Sequence, residues 1–293
     1  MSSWKGKTRG GVAGYAIFIF TIKRFGTVPA YVLLYFVALY YWFFSRKKYL
    51  RYYFRERLGY SAFRSMMAIY RLYYNFGQVL IDKVVVLGGL KKRFTFDFDG
   101  EHYIEGMKDG GMLIGAHMGN WEIASQLLQR LPLKIYIVMY DEEHRKIKDL
   151  LDNVLKEKTF EIIPLKNDLS HIIAIHNALQ TRGLVVMHGD RFMKGSRSID
   201  VSFLGAVASF PAGPFQIALK SGFPVSFVYA MKESWKHYHF FASKPKVYSR
   251  QKTEGKHDSA KIILEDYVKC LEEKVKAYPE HWFNFHDFWG IDA

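Results

Sequence analysis

The chain has 293 residues, 49% of them apolar and 24% charged, enough for one large α/β domain or two small ones with a real hydrophobic core; a mainly disordered chain is excluded. A net charge of +14 leaves nucleic acid, anionic lipid or an acidic substrate as partners, and the position of the charge has to choose among them. The single cysteine, Cys270, rules out an intramolecular disulfide and suits a reducing compartment; no cysteine pair or histidine-rich cluster has the spacing of a zinc site, so neither a metal nor a cofactor is expected.

Most of the charge lies at the start. Up to Arg64 there are twelve Lys or Arg and one acid, Glu56, a surplus of 11 out of the total 14. The same stretch holds residues 25–45, which are 21 residues without a charge. As a helix they span roughly 30 Å at about 1.5 Å per residue, the thickness of a bilayer core. Lys23 and Arg24 flank one end, and Arg46, Lys47 and Lys48 the other. The run is too long for the apolar part of a secretory signal and has no small-residue cleavage site after it. Basic clusters at both ends fit a helix lying in, or dipping into, the interface of an anionic membrane better than a simple span, because the positive-inside rule wants one basic side. A buried core helix is the alternative. The aromatic share, 17%, also suits an interface, where one edge of a ring is dry and the other wet. A basic region built around Leu, Tyr, Trp and Phe lacks the exposed surface that tracks phosphates, so no nucleic acid partner is expected. Residues 1–45 are therefore assigned to an N-terminal membrane anchor or interfacial helix, and 46–293 to one globular domain.

Residues 46–90 read as helical, with Met66, Ile69, Tyr70 and Tyr73 on one stripe. After Arg93 the period changes, and 94–98 alternate like a strand that ends at Asp99-Gly100. Strands are then predicted at 112–116, 135–140, 160–165, 184–187, 225–229 and 237–242. Helices are predicted at 121–130, 143–158, 169–181 (capped by Asp168), 211–220 (with Pro211 at its start) and 258–277. Alternating βα units of this kind argue for an α/β fold, a sheet sandwiched by helices. Sites in such folds gather in the loops at the carboxyl ends of strands.

The richest segment is Gly110-Gly111-Met112-Leu113-Ile114-Gly115-Ala116-His117-Met118-Gly119-Asn120-Trp121-Glu122. His117 directly follows a predicted strand. Asn120 is the expected N-cap of the next helix, which puts Glu122 in its first turn. Two side chains five apart in one helix would diverge, but a loop histidine and a helical carboxylate can meet. Gly115 and Gly119 allow close approach or a sharp turn of the backbone. A hydroxyl attacking a thioester needs a base, and histidine's pKa near 6.5 suits that task at neutral pH. A carboxylate on the other ring nitrogen fixes the tautomer and stabilises the imidazolium, as in the hydrolase triads. His171 and His176, five apart in a predicted helix, face differently and make a poor metal pair.

The segment from His117 to Glu122 resembles the H-x-x-x-x-[DE] motif of the glycerolipid and lipid A acyltransferases, and more closely that of the secondary acyltransferases of lipid A biosynthesis, the lauroyl and myristoyl transferases. Three further segments carry the likeness. His188-Gly189-Asp190-Arg191 follows a strand where that family has an acidic loop. Phe203-Leu204-Gly205-Ala206-Val207-Ala208-Ser209-Phe210-Pro211-Ala212-Gly213-Pro214 looks like its F-x-G-x-x-[AV] segment. Tyr278-Pro279-Glu280-His281-Trp282-Phe283-Asn284-Phe285-His286 is similar to its Y-P-E-x-W-x-x-x-H ending. The basic-rimmed apolar helix also stands where the family has one.

The resemblance implies a glycerolipid-acyltransferase-like αβ domain, with a central mixed sheet flanked by helices, behind an N-terminal membrane helix. It implies transfer of a fatty acyl chain from acyl carrier protein or acyl-CoA to a hydroxyl of a membrane lipid at the cytoplasmic face of the inner membrane. His117 would be the general base and Glu122 its orienting partner. Gly119, Asn120, Asp190, Arg191, Phe203, Gly205, Phe210 and Pro211 would be the substrate-binding residues. For Asp190 and Arg191 a structural ion pair is the alternative, and Phe203 and Phe210 either line an acyl channel or pack the core. His188 reads as a core-edge residue, and Trp282, Phe283 and His286 as a packed C-terminal segment. Two departures bear on the acceptor. Family members often carry an arginine after the strand that follows the catalytic helix, where this chain has Val138-Met139-Tyr140-Asp141, with Arg145 further on. Glycerophosphate acyltransferases tend to have Glu where this chain has Ala212. Both count against a small phosphorylated glycerol and leave a lipid A precursor or an amino-acid-containing lipid open. A non-catalytic lipid-binding protein of the same fold is the reading from another class.

Overall fold

The computed structural model describes residues 12–86, 94–121, 123–124, 133–139, 160–165, 168, 170–191, 195–249 and 258–292. The apolar N-terminal stretch forms two helices. α1 (Val12–Phe25) carries Lys23 and Arg24 in its last turn, where the helix dipole favours cations. Gly26, at φ 90°, breaks the chain, and α2 (Thr27–Phe44) follows. Among the described residues α2 is the one helix long and apolar enough to cross a bilayer.

α2 is already partly covered by protein. Ala30, Tyr31, Leu34 and Ala38 are buried on α4 (Ala62–Val85), which runs antiparallel to it. The Trp42 indole donates to the carbonyl of Met66 at 2.9 Å, Leu34 sits on Gly77, and the Tyr31 hydroxyl donates to Asp82. The opposite stripe, Val28, Val32, Phe36, Tyr40 and Phe44, is exposed. α2 thus has two apolar faces, one spent on protein and one bare. Its carboxyl end is closed by the Lys47 ammonium, which donates to the carbonyls of Trp42, Phe43 and Ser45, and Lys48 pairs with Asp292.

A short α3 (Lys48–Tyr52) runs into one π turn (Tyr53–Arg57) before α4. Ser61 caps α4 by accepting from the Arg64 amide. The buried stripe of α4 is Ser65, Ala68, Ile69, Leu72 and Val79; Met66, Tyr70 and Tyr73 are only half-buried.

The strands are β1 (Thr95–Asp99), β2 (Gly111–Gly115), β3 (Ile135–Met139), β4 (Glu161–Pro164), β5 (Leu184–His188), β6 (Ser198–Phe203), β7 (Ala206–Pro211), β8 (Val225–Lys232) and β9 (His237–Ala242). Seven of them form one sheet in the order β1-β9-β8-β2-β5-β3-β4, parallel throughout except for β8–β9. It is the expected mixed sheet. The helices beside it are α5 (Glu101–Glu105), α6 (Ser170–Gln180), α7 (Ala212–Ser221) and α8 (Asp258–Ala277). Asp168 does cap α6, accepting from the Ser170 amide at 3.0 Å, and Pro211 is the N-cap of α7. The predicted helix 143–158 lies outside the described residues, and so does most of 121–130. One element was not expected. β6 and β7 form an antiparallel hairpin whose two-residue turn, Leu204-Gly205, has φ of 51° and 76°. Positive φ at both turn positions matches the right-handed strand twist and explains a glycine there.

A buried polar network ties the N-terminal helices to this sheet. The Asp82 carboxylate accepts from the Tyr31 and Tyr238 hydroxyls and from the Lys232 ammonium. Lys232 also donates to the Tyr31 oxygen and the Trp235 carbonyl, each at 3.2 Å. Burial raises the pKa of Asp82 and lowers that of Lys232, while each one's charge opposes the shift of the other. Residues from the segment 1–45 therefore share one core with the segment 46–293.

Candidate active site

β2 and β5 are parallel neighbours with Gly115 opposite His188, so both chains leave the sheet side by side at their carboxyl ends. Two residues past β2 stands His117, and two past β5 stands Asp190. The His117 ring nitrogen Nδ1 lies 2.8 Å from Asp190 Oδ1, and the backbone amide of His117 donates to Asp190 Oδ2 at 2.9 Å. Asp190 Oδ2 also accepts from the Trp282 indole at 3.2 Å. Asp190 is buried, whereas 28% of the His117 side chain is exposed. His188 packs edge-on against His117, its Nδ1 3.3 Å from His117 Nε2.

Charge follows from this arrangement. Burial works to raise the pKa of Asp190, but the charge and hydrogen bond of His117, then the charge of Arg191, hold it far below the usual carboxylate range. His117 is drawn below its ordinary 6.5, first by burial and then by the Arg191 guanidinium, with Asp190 pulling the other way. His188 lies well below it, again by burial first. At neutral pH Asp190 is therefore ionised and both imidazoles are neutral. An ionised carboxylate only accepts, so His117 Nδ1 carries the proton and Nε2 keeps a lone pair.

The loop after His117 is fixed from three sides. Gly119, at φ 66°, presses on β8: a Cβ there would meet the Ala230 carbonyl at 2.0 Å, so only glycine fits. Asn120 is the N-cap, its Oδ1 accepting from the Ile123 amide, and its Nδ2 donates to the Tyr238 hydroxyl at 3.2 Å. Asn120 is fully buried, and both ends of its amide are taken. The C-terminal segment closes the third side: the Phe283 amide donates to the His117 carbonyl, and the Gly119 amide to the His281 carbonyl, both at 2.9 Å. Arg191 donates to the Phe283 carbonyl at 2.6 Å.

An apolar cleft opens next to His188. Its walls include Leu113, Ala116, Met118 and Trp121 near His117, and Val228, Tyr229, Phe240 and Phe98 further off, with Asp99 and Glu101 also lining it. Its strand residues come from β5, β2, β8, β9 and β1, which are neighbours in the sheet. Phe203 and Phe210 lie elsewhere, fully buried in an aromatic cluster with Trp282 and Phe288. Of the two readings left open for them, they pack the core. Gly205 forms the hairpin turn and Pro211 starts α7, neither bordering the cleft. Glu122 lies outside the described residues.

Sequence reasoning missed two residues of this constellation. By sequence alone His188 reads as a core-edge residue, although a histidine closing a strand two residues before an aspartate is a usable signal. Trp282 is packed as expected, but its indole also serves Asp190.

A search of curated proteins finds none that matches. Among solved structures, the 1-acyl-sn-glycerophosphate (LPA) acyltransferase PlsC from Thermotoga maritima is similar at 19% identity, over 84% of this chain and 97% of that one, with a TM-score of 0.36. The family model for bacterial lipid A biosynthesis acyltransferases matches residues 69–290, from the middle of α4 past the C-terminal segment that closes on His117. With that match over most of its length, the chain belongs to the bacterial lipid A biosynthesis acyltransferase family and is an acyltransferase with a lipid substrate.

Proposed function

We propose that the protein moves a fatty acyl chain from acyl carrier protein or coenzyme A to a hydroxyl of a lipid acceptor, a lipid A precursor or a related bacterial lipid, with His117 as general base. The observation that carries this reading is the 2.8 Å bond between His117 Nδ1 and the buried Asp190, beside an apolar cleft. His117 Nε2 takes the proton of the acceptor hydroxyl as its oxygen bonds to the thioester carbon. The tetrahedral intermediate then expels the thiolate, which receives that proton from His117. Asp190 holds the tautomer and stabilises the imidazolium, the orienting role that the sequence motif suggests for Glu122. The cleft takes the acyl chain.

The test is to incubate membranes containing the protein with labelled lauroyl-coenzyme A or lauroyl-acyl carrier protein and to analyse the lipids. Label on one lipid class, with a gain of one acyl chain's mass, is the expected outcome, and the class separates a lipid A precursor from an amino-acid-containing lipid. Free fatty acid alone would mean a hydrolase. No transfer from either donor would leave a lipid-binding protein.

The same reading holds the enzyme at the cytoplasmic face of the inner membrane, since a lipid acceptor stays in the bilayer and the donors are cytosolic. The bare face of α2 supports it, with Phe36 at 68% exposure, and Phe20 of α1 and Phe63 of α4 are exposed as well. Lys23, Arg24 and Arg46 add attraction to anionic lipid of about 1 kcal/mol each near the surface. Phe36→Glu, Tyr40→Glu and Phe44→Glu together should move the protein from the membrane pellet toward the soluble fraction without unfolding it. A triple variant that pellets like wild type, or a wild type that is soluble at physiological salt, would rule out this anchor.

A further inference from the structure

The proton placement that makes His117 a base also fixes its neighbour. Nε2 of His117 carries a lone pair, so the tautomer of His188 that makes the 3.3 Å contact a hydrogen bond is the one with its proton on Nδ1, donating to that lone pair. Among the described residues this is the ring's one hydrogen bond. That lone pair is also the one the acceptor hydroxyl needs, and one lone pair serves one donor. When the hydroxyl binds, His188 loses its partner in a site where a donor needs one. His188 also lines the apolar cleft, and its ring meets Trp121 edge-on at 5.2 Å. It therefore stands between the catalytic nitrogen and the cleft that takes the acyl chain in the reading above.

We infer that His188 is a second catalytic residue, whose Nδ1–H rests on His117 in the free enzyme and passes to the carbonyl oxygen of the acyl thioester when both substrates are bound. The inference rests on the acyltransferase reading above. In the step, the hydroxyl oxygen bonds to the carbonyl carbon and its proton goes to His117 Nε2. The carbonyl π pair moves onto oxygen, where the His188 N–H holds the developing negative charge. That pair then re-forms the carbonyl as the carbon–sulfur bond breaks, and the thiolate takes the proton from His117. A neutral imidazole suits the task, because it donates without competing for the proton, and burial keeps His188 neutral.

The test compares His188→Leu, which removes the donor, with His188→Asn, whose side-chain amide nitrogen can stand where Nδ1 stands. Transfer of label from lauroyl-coenzyme A to membrane lipid is measured alongside thermal melting. His188→Leu should lose about 10²–10³-fold in kcat, as for one lost oxyanion donor, with KM for lauroyl-coenzyme A within a few-fold. His188→Asn should recover most of that loss. A fully active His188→Leu enzyme would overturn the inference, and so would equal losses in both folded variants, which mean a packing role. If wild type transfers no label from lauroyl-coenzyme A or lauroyl-acyl carrier protein, the acyltransferase reading fails first and takes this inference with it.

Discussion

Replacing His117 with alanine is expected to slow acyl transfer by about 10²–10⁴-fold, the usual cost of a lost general base, while the protein stays folded and membrane-bound. Asp190→Asn should cost a comparable amount, up to about 10⁴-fold, because an amide can donate to Nδ1 and leave the imidazole in the wrong tautomer. The double variant should be hardly worse than either single one, since the two side chains act as one unit through the 2.8 Å bond. Additive losses would mean that they act independently. The pH profile offers a separate check. His117 must be neutral to accept a proton, and burial with the Arg191 charge draws its pKa below 6.5. The rate should therefore be level through neutral pH and fall only on the acid side, below pH 6.5. Asp190 works to raise that pKa, so in Asp190→Asn the acid limb should move to still lower pH. An acid limb above 7 in wild type would contradict the assignment.

The second large effect is expected far from the chemistry. Lys232→Met leaves the Asp82 carboxylate buried with the two tyrosine hydroxyls but without its counter-charge. Breaking a buried ion pair from one side costs about 3–5 kcal/mol, or an apparent melting point lower by about 6–20 °C for a chain of this size. Adding Asp82→Asn should return part of the loss, because the uncompensated charge is gone. The Asp82 carboxylate also bonds Tyr238, whose hydroxyl accepts from Asn120, the cap of the turn after His117. Some activity should therefore fall at temperatures where Lys232→Met is still folded. A variant as stable as wild type would show that the pair contributes little.

Much of this molecule could be read from its residues. The seven strands of the large sheet fall near their expected places because most of the short apolar runs of β-formers end at Gly, Pro, Asp or a charge; β8 runs three residues past its expected end, to Lys232. The Asn120 cap followed from Asn placed just before an apolar helical run. The partnership of His117 with Asp190 could not be read, because it depends on β2 lying beside β5, and the two residues are 73 apart in sequence. With only spacing to go on, Glu122, five residues away, is the nearer carboxylate. The β6–β7 hairpin is hidden differently: Ser198 to Phe203 does alternate in burial along β6, but its turn coincides with the F-x-G family segment, which by resemblance looks like a binding element. The two-faced character of α2 is not legible there, because hydropathy averages around the helix and gives Leu34, which meets Gly77, the same weight as Phe36, which is exposed.

The seam between α2 and α4 also has a timetable. Tyr31 waits for Asp82, 51 residues later, and for Lys232, 201 residues later. At a synthesis rate of about 5–20 residues per second, Lys232 joins the chain roughly 10–40 s after Tyr31. α4 itself is complete within about 3–10 s, so the apolar seam between the two helices can close well before Lys232 arrives. Until then the Asp82 carboxylate has the Tyr31 hydroxyl as a partner and no counter-charge, so the ion pair with Lys232 is a late bond in the seam.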